Sequence, residues 1–203
     1  GLADNICSAL GYLHAQTPVI IHGDIKGDNV LVERLGWRSN AKLLDFGLSR
    51  LLTRRPCTLG GTVRWAAPEV IAKEQDAAKP SADVFSFGRL LYMIMTGRVP
   101  LDGISRDDII DAACHGECFA LEWPGDMPLL SEARELCESC SRAPAISRPD
   151  ITAAQASLHQ WGRGSDVPDE LAAVLRKTFP HASGSRNLRE ALQKAREERP
   201  TAP

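Results

Sequence analysis

Apolar residues at Leu2, Ile6, Leu10 and Leu13 recur at helical spacing, which predicts an amphipathic helix over residues 2 to about 15. The run Val19-Ile20-Ile21, after Pro18, is too short for a helix and rich in β-branched side chains. Val30-Leu31-Val32 and Lys42-Leu43-Leu44 flank a polar stretch containing Gly36 and Asn40, the pattern of two short strands joined by a turn. Residues 47 to 68 mix Gly, Pro, Thr and Arg without a period, which predicts a long irregular segment. Such segments in compact domains are usually functional or disordered.

Val84 to Met95 is apolar almost all round and stops at Thr96-Gly97, the pattern of a buried central helix ended by glycine. Ser105-x-x-Asp108 reads as a capping box ahead of Ile109, Ile110 and Ala113. Leu129, Ala133, Leu136, Cys137 and Cys140 form a further stripe and predict a helix over 129–140. Ile151, Ala154, Leu158 and Trp161 predict the last helix of the domain, with Pro149 near its first turn. Residues 1–161 then make one domain and 162–203 a tail. In the tail, Gly162–Asp166 reads as a linker, Pro168–Lys177 as a short helix and His181–Arg186 as a loop. Asn187–Arg199 reads as a partly ordered helix with a weak apolar face.

The 203 residues are 43% hydrophobic and 25% charged, enough for one core of respectable size. A net charge of -2 gives no global pull toward nucleic acid, and no apolar run of membrane-spanning length occurs. The N-terminal Gly1-Leu2-Ala3-Asp4 lacks both an initiator Met and the pattern of a signal peptide. Six scattered cysteines in a chain of this size fit a reduced, intracellular (cytoplasmic) protein. Cys114-x3-Cys118 and Cys137-x2-Cys140 have the outline of a zinc site, but the helical stripe turns Cys137 and Cys140 toward a core as small hydrophobes.

Three polar clusters sit beside apolar strands: His22-Gly23-Asp24-Ile25-Lys26-Gly27-Asp28-Asn29, then Asp45-Phe46-Gly47, then Gly61-Thr62 followed by Trp65-Ala66-Ala67-Pro68-Glu69. Phosphoryl transfer from a nucleotide needs a carboxylate to orient the acceptor hydroxyl, oxygen ligands for Mg2+ and a cation near the transferring phosphate. The first two clusters supply all of these at the ends of neighbouring strands. Turn chemistry alone accounts for Asp28, but not for Asp24, Asn29 and Asp45 in this order. Asp83 is expected to cap the central helix, and Glu69 and Arg148 to form a buried scaffold pair. His14, His115, His159 and His181 are expected on the surface.

The spacing Asp24-x4-Asn29, then Asp45-Phe46-Gly47, then Ala67-Pro68-Glu69, resembles the ordered signature of eukaryotic-type protein kinases. Asp83-Val84-Phe85-Ser86-Phe87-Gly88 resembles the start of their central helix, and Arg148 resembles the arginine that pairs with the Glu69 position. The resemblance covers residues 2 to about 160. It implies a mainly α fold, the helical C-lobe of a kinase with a short β-hairpin at the catalytic and Asp-Phe-Gly loops. It also implies ATP and Mg2+ as cofactors and a protein substrate. Asp24 would take the proton of the substrate hydroxyl, and Lys26 would neutralise charge on the phosphate. Asn29 and Asp45 would hold Mg2+, and Leu31 would lie under the adenine. Thr62 would contact Asp24 and Lys26, and His22 and Phe46 would pack internally. Lys26 and Gly61-Thr62 resemble the serine/threonine branch, and the string from Asp83 resembles its tyrosine-kinase-like group.

Two features depart from that family. No Gly-rich phosphate loop, strand lysine or helix glutamate is present, so the small N-lobe is absent and would be needed in cis. Position 23 is Gly where most protein kinases have Arg, which lessens the expected dependence on phosphorylation at Thr53 or Thr58. The same glycine resembles small-molecule phosphotransferases of the aminoglycoside- and choline-kinase kind, whereas Lys26 and the run from Gly61 to Glu69 favour a protein kinase. A pseudokinase or truncated interaction module is the non-enzymatic alternative.

Overall fold

A computed structural model describes residues 1–35, 38–45, 62–73, 79–125, 130–161 and 186–187. Helix α1, Leu2–His14, opens the chain; strands β1, Val30–Leu35, and β2, Arg38–Leu43, follow. The helices α2, Pro68–Ile71, α3, Pro80–Thr96, α4, Arg106–Cys114, α5, Leu130–Cys140, and α6, Ile151–Gln160, make up most of the rest. The fold is mainly α, with the hairpin at the expected place. A two-residue strand β3, Arg186–Asn187, pairs with β1 at Leu31 and Val32, giving the antiparallel order β2-β1-β3. Residues 186 and 187 are therefore a strand where composition predicts the junction of a loop and a helix. The expected linker and short helix of the tail, Phe46-Gly47, and the loop hydroxyls Thr53 and Thr58 lie outside the described residues.

The apolar runs were read as three residues each, yet each strand extends to six, because main-chain pairing continues through the polar positions to Leu35 opposite Arg38. Alternation decides what each strand buries. Val30 and Val32 of β1 face the core with Ala41 and Leu43 of β2, and Leu31 takes the opposite face, half-buried. Behind the hairpin, α1 buries Leu2, Ile6, Cys7, Leu10 and Leu13, the stripe its period predicts.

At the centre, α3 is buried continuously from Ala82 to Met93 and ends at Gly97 in the left-handed region (φ 68°). It starts four residues before the apolar run because Pro80 suits a first helical turn. Helix α5 packs against α3 at close range. A Cβ added at Gly88 would lie 2.7 Å from Ser141 Oγ and 2.9 Å from Cys140 Cβ, so only glycine lets the two backbones approach this far. Ala133, Leu136, Cys137 and Cys140 are buried there, and Cys137 Sγ donates to the Gly88 carbonyl (3.2 Å). Cys7 belongs to the same core; burial pushes the Cys140 thiol up to about 12 and those of Cys7 and Cys137 well upward. Cys114 and Cys118 are exposed instead.

Among the described residues, two helix starts are capped by side chains. Ser105 Oγ accepts from the Asp108 amide (3.1 Å), as the sequence predicts. At α6, with Pro149 just before it, the cap is Asp150: its Oδ1 accepts from the Ala153 amide (2.7 Å) and from Thr152 Oγ1 (2.6 Å).

Glu69 on α2 and Arg148, before α6, form a bidentate pair at 2.6 and 2.8 Å. Arg148 also donates to the carbonyls of Arg142, Ser81 and Ala143, and its guanidinium lies 5.0 Å from the Phe85 ring centre. Every donor of this buried cation is used, and α2, α3 and the segment before α6 are tied together.

Glu69→Ala, which strands the Arg148 charge, is expected to cost about 3–5 kcal/mol in urea unfolding, while the double variant Glu69→Leu/Arg148→Met recovers part of that loss. At α6 the sign of a pH effect follows from its cap. Thr152 and then the Ala153 amide hold the Asp150 carboxyl below its ordinary 3.8, so the cap stabilises above that value and is lost as pH falls through the depressed one. Asp150→Ala should therefore cost about 1 kcal/mol at neutral pH, with the gap to the native chain closing on acidification.

Candidate active site

The loop from His22 to Asn29 joins the core to β1, and its shape is set mainly by one carboxylate. Asp83, fully buried on the first turns of α3, accepts from the His22 amide (2.8 Å) and the His14 Nε2 (2.9 Å) through Oδ2. Its Oδ1 accepts from the Gly23 amide (2.8 Å). Asp83 was expected to cap its own helix; the N-cap of α3 is Lys79, and Asp83 instead binds amides of the distant loop. His14 was expected on the surface, and its side chain is only 10% exposed because it completes this cluster at the end of α1. Sequence periodicity marked neither contact, since both partners lie more than 60 residues from Asp83. His115 and His159 are exposed as expected, and His159 pairs with Asp4 across α6 and α1 (2.6 Å).

His22 is buried and its ring links the two halves of the site. Nδ1 accepts from the Asp24 amide (3.3 Å), which assigns the ring proton to Nε2, the donor to the Leu44 carbonyl (3.0 Å). Gly23 adopts φ 75°, a left-handed conformation that disfavours any side chain. The loop then closes in a single 3-10 turn, Gly27–Asn29, which leaves Asp28 exposed.

Asp24 stands at the focus and is buried. Its Oδ2 accepts from Lys26 Nζ (2.6 Å) and Asn29 Nδ2 (2.9 Å), while its Oδ1 is buried with no hydrogen-bond partner among the described residues. A buried, unsatisfied carboxylate oxygen is costly unless something is meant to reach it. Asn29 spends its other Nδ2 hydrogen on the Asp24 carbonyl (2.8 Å), so its amide oxygen is the atom left to serve as a ligand. The Leu44 amide donates to the Asn29 carbonyl (2.8 Å), which brings Asp45 out of β2 beside Asn29. Asp45 is exposed and left-handed (φ 63°).

The structure thus joins Asp24, Lys26 and Asn29 by direct bonds and sets Asp45 next to them through the backbone. Leu31 lies on the non-core face of β1. Thr62 begins a 3-10 turn, Thr62–Arg64, and its side chain lies outside the described set, as does Gly61. Val63, Trp65 and Ala67 of this segment are buried, which fixes it against α3 and α4.

The sequence profile of the family described as "Protein kinase domain" matches residues 2–162. The chain belongs to the protein kinase family. The chain is 26% identical over 94% of its length to the cell cycle serine/threonine-protein kinase CDC5/MSD2 of Saccharomyces cerevisiae. It is 32% identical over 74% of its length to the serine/threonine-protein kinase CTR1 of Arabidopsis thaliana, and 41% identical over 48% to the protein kinase kin1 of Schizosaccharomyces pombe. It spans 27%, 18% and 10% of those three proteins. Among the described residues of the kinase domain, no helix is long and apolar enough to cross a membrane.

Asp83→Asn tests the anchoring of the loop. One acceptor oxygen cannot serve three donors, so the His22 and Gly23 amides should exchange with deuterium at least about tenfold faster, a loss near 1.4 kcal/mol. Unchanged protection at both amides would show that the loop is held by something else.

Proposed function

We propose that this domain transfers the terminal phosphoryl group of ATP to a serine or threonine hydroxyl of a protein. The observation that carries the reading is the asymmetry of Asp24: Oδ2 is held by Lys26 and Asn29, and Oδ1 is buried, unpartnered and free to accept a proton. A hydroxyl placed at Oδ1 is oriented by it and gives up its proton to it as the new O–P bond forms and the bond to the ADP leaving oxygen breaks. Lys26, beside Asp24, offers its ammonium to the charge carried by the phosphoryl oxygens.

The site chemistry suits Mg2+, whose preference is for hard oxygens: the Asn29 amide oxygen and the exposed Asp45 carboxylate, on segments joined by the bond from the Leu44 amide to the Asn29 carbonyl, would hold it. When bound, the ion neutralises phosphate charge and aligns the phosphates. Leu31 offers an apolar surface for the adenine, and Thr62 would contact Asp24 and Lys26 beside the acceptor. In this reading the phosphate roof, a Gly-rich loop with its strand lysine, is contributed by another part of the same polypeptide. ATP as donor places the reaction inside the cell. Support for a protein acceptor comes from the family match and from the buried anchoring of residues 63–69, a segment that a small-molecule acceptor does not require.

Asp24→Asn in the full-length polypeptide should lower phosphate transfer to serine- and threonine-containing peptides by about 10²–10⁴-fold at unchanged thermal stability. Asp45→Asn should abolish the dependence of the rate on Mg2+ concentration in the low millimolar range. Normal Mg2+-dependent phosphorylation in the Asp45 variant would remove that carboxylate from the metal site, and normal activity in the Asp24 variant would overturn the reading as a whole.

A further inference from the structure

Along β1 the main-chain groups point alternately to β2 and to the opposite edge, and two bonds settle which residues face which way. The Leu44 amide donates to the Asn29 carbonyl (2.8 Å), so Asn29 and, two residues on, Leu31 turn their main-chain groups toward β2. The Ala41 amide leaves the hairpin for Asn5 Oδ1 on α1 (3.1 Å), so its register partner Val32 turns away from β2. Val30 and Val32 therefore present their amides and carbonyls to the outer edge. Both residues are buried, 0% and 3% exposed, where unpaired main-chain groups are costly.

The tail takes that edge. Arg186 lies opposite Val32 and Asn187 opposite Leu31, in antiparallel register. Because Val32 faces outward, Val32 and Arg186 are the pair that exchanges main-chain bonds. The antiparallel direction carries β3, at Asn187, toward the 3-10 turn Gly27–Asn29, and β3 packs against that turn. Leu31 stays half-buried with β3 in place, so the strand lies beside the surface offered to adenine, not over it. A hairpin of two strands is marginal alone, and a third strand steadies it. A strand of two residues steadies it only slightly, which suits an element that docks and releases.

We propose that residues 186–187 are a reversible strap through which the tail regulates the site. Docked on the outer edge of β1, they hold Leu31 and the turn that carries Asn29, and so raise the affinity for ATP with its metal; released, they lower it. Main-chain bonds carry the affinity in this kind of strand addition. The regulatory step rests on the reading of Leu31 and Asn29 as nucleotide and metal contacts, whereas the docking itself does not.

The first test uses the whole chain and needs no nucleotide. Arg186→Pro removes the N–H that pairs with Val32 and touches none of α1 to α6, so the melting temperature should be kept. The Val32 amide should then exchange with deuterium at least about tenfold faster. The Asn29 amide, which closes its turn onto the Lys26 carbonyl (3.1 Å), should exchange about threefold faster. The Leu31 amide faces β2 and should change little. Ser183→Pro, placed before the strand, should leave all three amides as in the native chain. In the full-length polypeptide, Arg186→Pro should raise KM for ATP at least about threefold with kcat within about twofold. Unchanged protection at Val32, or an equal loss in the Ser183 variant, would overturn the docking. Loss at Val32 without loss at Asn29, or an unchanged KM in an active polypeptide, would overturn the regulation. A polypeptide that transfers no phosphate before any substitution counts against the role given to Asp24, and the Asn29 amide then decides the strap alone.

Discussion

The carboxylate of Asp83 is the contact on which the site depends. Loops expose unpaired amides, and a loop that must hold catalytic geometry cannot leave them to water. Asp83 takes the His22 and Gly23 amides with its two oxygens and is itself fixed on the most deeply buried helix. His14 adds a third donor, so the end of α1 is tied to the same point. From that anchor the chain reaches His22, whose ring clasps the Asp24 amide on one side and the Leu44 carbonyl on the other. The spacing of Asp24 from Asn29 and Asp45 is thus inherited from the core, through hydrogen bonds to charge that are stronger than neutral ones.

The same helix carries a second polar problem, solved in one place and left open in another. Around Phe85, Arg148 is saturated by Glu69 and by three carbonyls from two segments, which makes it a clamp between α2, α3 and the segment before α6. Arg89 is no less buried but has a single carbonyl. Equal burial with unequal compensation separates the two: Arg148 belongs to a structural ion pair, while Arg89 keeps Nε and Nη1 buried with no hydrogen-bond partner among the described residues.

Much of this was legible in the sequence because it rests on local pattern. The period of α1, the apolar run of α3 with its Gly97 stop, the Ser105 cap and the cysteine stripe of α5 are each decided within a few turns of chain, and each stands where the pattern put it. The strands came out short because polar residues such as Ser39 and Asn40 carry no strand signal, while main-chain pairing is indifferent to them. What failed to show was long-range. Asp83 read as a helix cap and His14 as a surface residue because each resembles that role locally; only the fold brings them together. Arg89 raised no signal at all, since a lone arginine in an apolar helix looks like a polar edge until its burial is known.

Gly23 and Asp45 show how the site gains its shape from backbone conformations that most residues resist. Both are left-handed, φ 75° and 63°, and flank the same carboxylate cluster. At position 23 glycine meets this at no steric cost, whereas an L side chain there would incur about 1–2 kcal/mol. At position 45 the residue is aspartate, which tolerates this region better than most L residues. The turn takes the chain off β2 just after the Leu44 amide has bonded to the Asn29 carbonyl. A residue in the ordinary strand region would continue along β2 and carry that carboxylate away. The left-handed step at Asp45 is therefore what ends the run of β2 and turns the chain out of the sheet next to the segment that carries Asn29.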